Sequence, residues 1–272
     1  MRRKLFLFDL NGTLLTSDEI ITPCSIRAIE ACKAEGMLVG YVTGRARTTQ
    51  YEMENGKIFL TDKYNLPKDF AAYYNGAEIY AGDIPIESNT IPHENAMDII
   101  RALDSAYPNA KIGVRHEPWS YLKRSGYADG ENWNVETGEK VKCGILELPS
   151  YGVQRIIIEF DEHDDKSRLN GIVTGEAAFF VNVDGSAMII HKNATKERAA
   201  KKASEYFGIP LADIISFGDD INDANMLKIS GIGVAMGNAV EAAKEAADYT
   251  TETNDSEGVA VWIDKYLSAL YV

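Results

Sequence analysis

The stretch KLFLFDLNGTLL, residues 4–15, decides how the rest of the chain is read. Residues 5–10 form an apolar run broken only by one acid, Asp9, and the amide Asn11 follows in a glycine turn with Gly12 and Thr13. A run that is apolar without alternation belongs to a strand covered on both faces, which is the habit of parallel sheets. Such sheets bind ligands beyond the carboxyl ends of their strands. Asp9 stands at one such end, so the other strand ends are where chemistry should be sought.

Downstream, TPCSIRAIEACKAEG puts Ile26, Ile29 and Ala34 on a helical period, with Pro23 near its start and Gly36 past its end. MLVGYVTGR is a second buried strand running into a glycine turn, which completes a right-handed βαβ unit. FAAYYNGAEIY reads as one further strand. From residue 81 to 185 the texture changes. HENAMDIIRALDSAYP is an amphipathic helix, KIGVRH, VQRIIIEF and AAFFVNV are strands, and residues 117–144 are polar and aromatic with no period. The first texture then returns: SAMIIHKN, DIISFG and GIGVAMG are strands, while ATKERAAKKASEYFG and SEGVAVWIDKYLSALY are helices. The expected fold is α/β, a Rossmann-like parallel sheet flanked by helices (residues 1–80 and 186–272) with an inserted α/β domain (residues 81–185). The chain would cross between the two near residues 80–83 and 184–186, where Gly82 and Gly185 suit hinges.

Composition narrows the partners. The 272 residues can bury a large core. With 28 basic against 41 acidic side chains the net charge is −13, a field that repels nucleic acid and anionic membranes. Any phosphate handled here needs local cationic help or a metal. No segment approaches the roughly 18 apolar residues of a membrane span, and Asp9 cuts the first apolar run too short for a signal peptide. Cys24, Cys32 and Cys143 form no CxxC pair, and their odd number argues for a reducing, cytoplasmic setting. A small molecule is the expected partner.

Four strand ends carry polar groups: Asp9 to Thr13, Thr43-Gly44-Arg45, Lys196, and GDDIND at residues 218–223. Each has a bland reading. Lys196, in the first turn of a helix capped by Asn193, is either a solvated lysine or a cation facing an anion against the helix dipole. Asp219 and Asp223, four apart, are either an acidic helix start or two ligands of a hard divalent ion such as Mg²⁺. Thr43 and Gly44 offer a hydroxyl and an N–H in a tight turn, a weak phosphate nest alone. Four such ends on one sheet edge are hard to explain by solvation.

In order, DxxGT, T-G-R, a lone lysine and GDxxND resemble the haloacid dehalogenase superfamily of phosphatases. The insertion between the second and third motifs is similar to the α/β cap of the Cof-like sugar-phosphatase subgroup, as are YNGAEIY and VAMGNAVEAAKEAADYTTETNDSEGVA. The resemblance implies a Mg²⁺-dependent hydrolase of small phosphate esters, with Asp9 as the nucleophile. It implies that Thr43 and Lys196 hold the transferring phosphoryl group, helped by N–H groups of Gly12 and Gly44. Asp219 would be a direct metal ligand beside Asp9 and the main-chain carbonyl of Asn11, with Asp223 supporting it, and Asn222 would contact phosphate and tether Lys196.

Asn11 departs from the family pattern, which carries an acid there to protonate the leaving group and activate water. An amide does neither, and loss of a general acid–base group costs about 10²- to 10⁴-fold. Two alternatives to the hydrolase follow: a phosphometabolite-binding protein with little turnover, or a phosphomutase, which would itself need the missing acid. In the insertion, Trp119 and Tyr121 of RHEPWSYLKR either stack on a sugar or pack the cap.

Overall fold

A computed structural model describes residues 3–47, 51–53, 56–58, 64–116, 119–122, 140–143, 152–182 and 184–270. The first strands are β1 (Leu5–Phe8), β2 (Leu38–Val42), β3 (Tyr51–Met53), β4 (Gly56–Ile58), β5 (Phe70–Tyr73), β6 (Glu78–Ala81) and β7 (Ile84–Ser88). Next come β8 (Lys111–His116), β9 (Trp119–Leu122), β10 (Lys140–Cys143), β11 (Arg155–Glu159), β12 (Ala177–Val181) and β13 (Ala187–His191). The last are β14 (Ile214–Gly218), β15 (Ile232–Ala235) and β16 (Tyr249–Thr250). The chain forms two compact units, one of Met1–Arg45, Leu60–Glu87 and Thr195–Val272, the other of Ala46–Phe59 and Ser88–Ala194.

The first unit is built on an eight-stranded sheet in the order β16-β15-β14-β1-β2-β5-β6-β7. From β16 to β5 the pairing is parallel. Every residue of β1, β2, β5 and β14 is buried, which is why these segments are apolar without alternation. On one face Leu5, Leu7, Leu38 and Phe70 pack with Ala199, Ala200 and Ala203 of the helix Lys196–Phe207. Phe6, Phe8 and Phe217 stack on one another, and Tyr266 and Trp262 of the helix Gly258–Ala269 meet them edge-on. Each such side chain contributes about 1.5–3 kcal/mol by leaving water. The register sets Phe8 between Tyr41 and Phe217, so β1, β2 and β14 end together and release Asp9, Thr43 and Asp219 at one edge.

The second unit holds a six-stranded sheet in the order β10-β9-β8-β11-β13-β12, largely antiparallel. Its core joins Met97, Ile100 and Leu103 of the helix His93–Ala106 to Ile112, Val114, Ile156, Ile158 and Ile189. The α/β class with a parallel sheet flanked by helices is as expected. Among the described residues no helix is long and apolar enough to cross a membrane.

Several local expectations are corrected. FAAYYNGAEIY is not one strand: Tyr74 and Asn75 take left-handed φ values of 51° and 58°, and β6 returns antiparallel to β5. The boundaries expected at 80/81 and 185/186 also move. β7 still belongs to the first sheet, and SAMIIHKN is β13, paired with β11 and β12 in the second. Gly82 and Gly185 therefore sit in turns inside each sheet, at φ 56° and 84°, and the crossings nearest them fall at 87/88 and 194/195, besides those at 45/46 and 59/60. A strand's own pattern does not name its partner, so the sequence does not say which sheet β7 or β13 joins. The helix Pro23–Ala34 buries Ser25, Ala28, Ile29 and Cys32, while Ile26 is half-buried and Ala34 exposed. Within the stretch read as aperiodic, β9 and β10 form; the side chains of Trp119 and Tyr121 and residues 123–139 lie outside the described residues.

Candidate active site

Asp9 leaves β1 with its N–H donating to Phe217 O at 3.0 Å, and the following turn closes through Leu15 N–H to Leu10 O at 2.8 Å. Gly12 takes φ +72°, and a Cβ there would lie 2.2 Å from Asp219 Oδ2. Only glycine lets this turn touch that acid. Gly218 meets the same constraint from the other side, since a Cβ would fall 2.4 Å from Asp223 Cβ.

Lys196 joins these segments. It is the first residue of its helix, capped by Thr195, whose Oγ1 accepts from Arg198 N–H at 3.1 Å; the expected cap, Asn193, lies outside the helix. Its ammonium donates to Asp9 Oδ1 at 2.6 Å and to Asp223 Oδ1 at 2.7 Å, at 2% exposure. Two carboxylates offset the unfavourable end of the helix dipole. Asp223 Oδ2 accepts from the N–H groups of Asp219 and Asp220, both at 3.1 Å, so this acid shapes its own loop as well as holding the lysine. The tether expected of Asn222 is thus supplied by Asp223. Asn222 Nδ2 donates instead to Asn75 Oδ1 at 3.2 Å.

The third acid, Asp219, accepts from Thr13 Oγ1 at 2.7 Å. Asp9, Asp219 and Asp223 each offer a carboxylate oxygen within 4.8 Å of the others, a group that could hold a metal ion. Burial pushes Asp9 up to about 8, with Lys196 pulling it down and Asp223 and Asp219 pushing it further. Asp219 is pushed up to about 6, mainly by burial, against the hydrogen bond from Thr13. Burial also pulls Lys196 down, but Asp223 and Asp9 outweigh it and hold it above its ordinary value. One shift favours a neutral acid and the other a charged amine. The geometry decides for the ammonium, which has two close acceptors, and leaves excess negative charge on the acids. An oxygen-only donor set with that excess fits a hard divalent cation such as Mg²⁺.

On the β2 side, Thr43 Oγ1 accepts from Arg45 N–H at 3.1 Å, and Thr43 O accepts from Asn75 N–H at 2.9 Å. A Cβ on Gly44 would stand 3.3 Å from Asn75 Oδ1, so the Tyr74–Gly76 turn is seated against the T-G-R turn. Arg45 donates from Nε to Asn11 Oδ1 at 2.6 Å and from Nη2 to Glu19 Oε1 at 2.8 Å. Asp9, Asn11, Gly12, Thr43, Gly44, Lys196, Asp219, Asn222 and Asp223 all lie in the first unit. Sequence reasoning placed Thr13, Arg45 and Asn75 within motifs but gave none of them a role of its own. The Asn-Gly pair in YNGAEIY was the available signal for a turn there.

The chain matches the haloacid dehalogenase-like hydrolase family over residues 6–263. It belongs to that family. Phosphatase YwpJ of Bacillus subtilis (strain 168) is 46% identical over 286 residues, covering 94% of this chain and 97% of that protein. The 5-amino-6-(5-phospho-D-ribitylamino)uracil phosphatase YcsE of the same organism is 27% identical over 258 residues, covering 94% and 93%. Among solved structures, the HAD subclass IIB sugar phosphatase BT4131 superposes with a TM-score of 0.79 at 25% identity, covering 97% of this chain and 98% of that one. The haloacid dehalogenase-like chain described here is, with these relatives, a Cof-like phosphatase, a phosphoric monoester hydrolase by family.

Proposed function

We propose that this chain is a Mg²⁺-dependent phosphatase of small phosphate monoesters, sugar phosphates above all, and that Asn11 limits its turnover. The observation that carries the reading is Asp9 held at a buried strand end by Lys196, beside Asp219 and Asp223. Asp9 attacks phosphorus, the ester oxygen leaves, and the phosphoryl group rests on Asp9 as an acyl phosphate until water releases orthophosphate. Lys196 and Thr43, with N–H groups of Gly12 and Gly44, neutralise and orient the phosphoryl oxygens. Mg²⁺, when bound, would be held by Asp9, Asp219 and the Asn11 carbonyl, and would supply further charge neutralisation at those oxygens. Asp223 stands behind this set, both its oxygens being engaged by Lys196 and the loop N–H groups.

What the set lacks is a proton donor at position 11. The departing oxygen must take its proton from water, and water must attack the acyl phosphate without a base. The second unit is assigned to substrate choice, and the compartment to the reducing cytoplasm. Phosphate release from p-nitrophenyl phosphate and a panel of sugar phosphates with Mg²⁺, by this chain and by Asn11→Asp, tests the reading. Asn11→Asp should be faster by about 10²-fold or more on the sugar phosphates. With p-nitrophenyl phosphate, whose leaving group needs little protonation, the parent should give a nitrophenol burst matching the enzyme concentration. Because Asn11-Gly12 deamidates readily, freshly made protein is checked by peptide mass mapping. Equal rates for fresh parent and Asn11→Asp would show that position 11 is not the acid–base group. Binding of sugar phosphates with no turnover by either protein would instead favour the phosphometabolite-binding alternative that Asn11 raises.

A further inference from the structure

We infer that Asn238 is a positioning residue that sets the Gly12–Thr13 peptide and, through it, the carboxylate of Asp219; the inference rests on the reading of Asp219 as a Mg²⁺ ligand. Asn238 Nδ2 donates to Gly12 O at 2.8 Å, and Asn238 Oδ1 accepts from Asn254 N–H at 3.0 Å. Asn254 Nδ2 then donates to Leu15 O at 2.9 Å, so an exposed and a half-buried asparagine grip the middle and the end of the turn after Asp9. The same segment holds the opposite loop: Met236 N–H donates to Gly218 O at 3.0 Å, and Val240 N–H to Asp219 O at 2.8 Å. A closed circuit results. It runs from Asn238 to Gly12 and Thr13, across Thr13 Oγ1 to Asp219 Oδ1 at 2.7 Å, and back through the Asp219 backbone to residue 240.

Glycine populates positive and negative φ about equally, so a bond to its carbonyl from outside the turn narrows what Gly12, at φ +72°, would otherwise sample. A carboxamide is suited to position 238 because one oxygen must accept while a separate nitrogen donates, which neither a hydroxyl of that reach nor a carboxylate provides. No apolar packing explains an exposed asparagine there. The Gly12 carbonyl is the load it carries.

The test uses the full chain, with Mg²⁺ binding followed by isothermal titration and melting followed in EDTA. Asn238→Asp keeps the size of the side chain and its acceptor for Asn254 but loses the donor to Gly12. Asn238→Ala loses both without adding charge. Ser17→Ala removes the Oγ hydrogen bond to Asp255 just past that turn, away from Gly12. Both Asn238 variants should bind Mg²⁺ about 10- to 100-fold more weakly, the range for groups that orient a ligand from behind. In an Asn11→Asp background they should lower kcat for p-nitrophenyl phosphate more than they raise KM. Asn238→Asp should lose affinity even though it adds a negative charge. Unchanged Mg²⁺ affinity in both variants would overturn the inference alone, as would an equal loss in Ser17→Ala. A parent chain that binds no Mg²⁺ would overturn the inference and the metal reading together.

Discussion

Replacing Lys196 with methionine keeps most of the side chain's bulk and removes the ammonium that two buried acids share. Asp9 and Asp223 take their hydrogen bonds from it at 2.6 and 2.7 Å, at 4% and 0% exposure, where water is a poor substitute. Removing one partner of a buried ion pair costs about 3–5 kcal/mol. At about 2–4 °C per kcal/mol for a domain of this class, the melting temperature should fall by about 6–20 °C. The deficit depends on pH, with a sign that can be worked out. Asp9 is raised from 3.8 to about 8, so its protonated form stabilises the folded state, fully at low pH and progressively less as pH climbs to the folded value. Lys196 pulls that value down; without it Asp9 titrates higher still. At low pH a proton on Asp9 replaces much of what the ammonium supplied there, and the deficit comes mainly from Asp223. As pH rises the parent ionises Asp9 against Lys196 while the variant holds its proton to higher pH, so the deficit widens by up to about 1.4 kcal/mol per pH unit. Thermal and urea melts in EDTA at pH 6, 8 and 9 measure this. A deficit that narrows with rising pH, or a variant as stable as its parent throughout, would refute the argument.

Gly12→Ala should weaken Mg²⁺ binding at least about tenfold, because its Cβ falls 2.2 Å from Asp219 Oδ2 and the left-handed backbone costs about 1–2 kcal/mol besides; isothermal titration reads it, and parent-like affinity would contradict the contact. Iodoacetamide at pH 8 should label half-buried Cys24 in the folded protein and spare Cys32, whose thiol is pushed up to about 12 by burial and then by Asp264. Peptide mass mapping reads the pattern, and early labelling of Cys32 would show that the helix Pro23–Ala34 opens in the native state.

The central strands were legible in the sequence because a strand buried on both faces has no room for alternation, and residues 5–8, 38–42 and 214–218 obey that rule. The acids at their ends were legible for the complementary reason, since a carboxylate that ends such a run stands at the sheet edge. The helix Lys196–Phe207 was announced by its period and by Gly208, which takes φ 64° as a helix stop. What the sequence did not disclose is pairing. Lys196 meets Asp9 across 187 positions and Asp223 across 27, and no local pattern chooses Asp223 over Asn222. The direction of the turn after β14 makes that choice. β7 and β13 read equally well in either unit, because period 2 states which face is buried and never which strand lies alongside. The same holds for Asn75, Arg45 and Asn238, polar residues in unremarkable turns that acquire partners only when separate loops meet at one edge. Sequence alone determined the fold class and which acids end the buried strands at the candidate site, through the local cost of burying polar groups. The tertiary structure decided the partners, because a hydrogen bond forms only where folding brings donor and acceptor within about 3 Å.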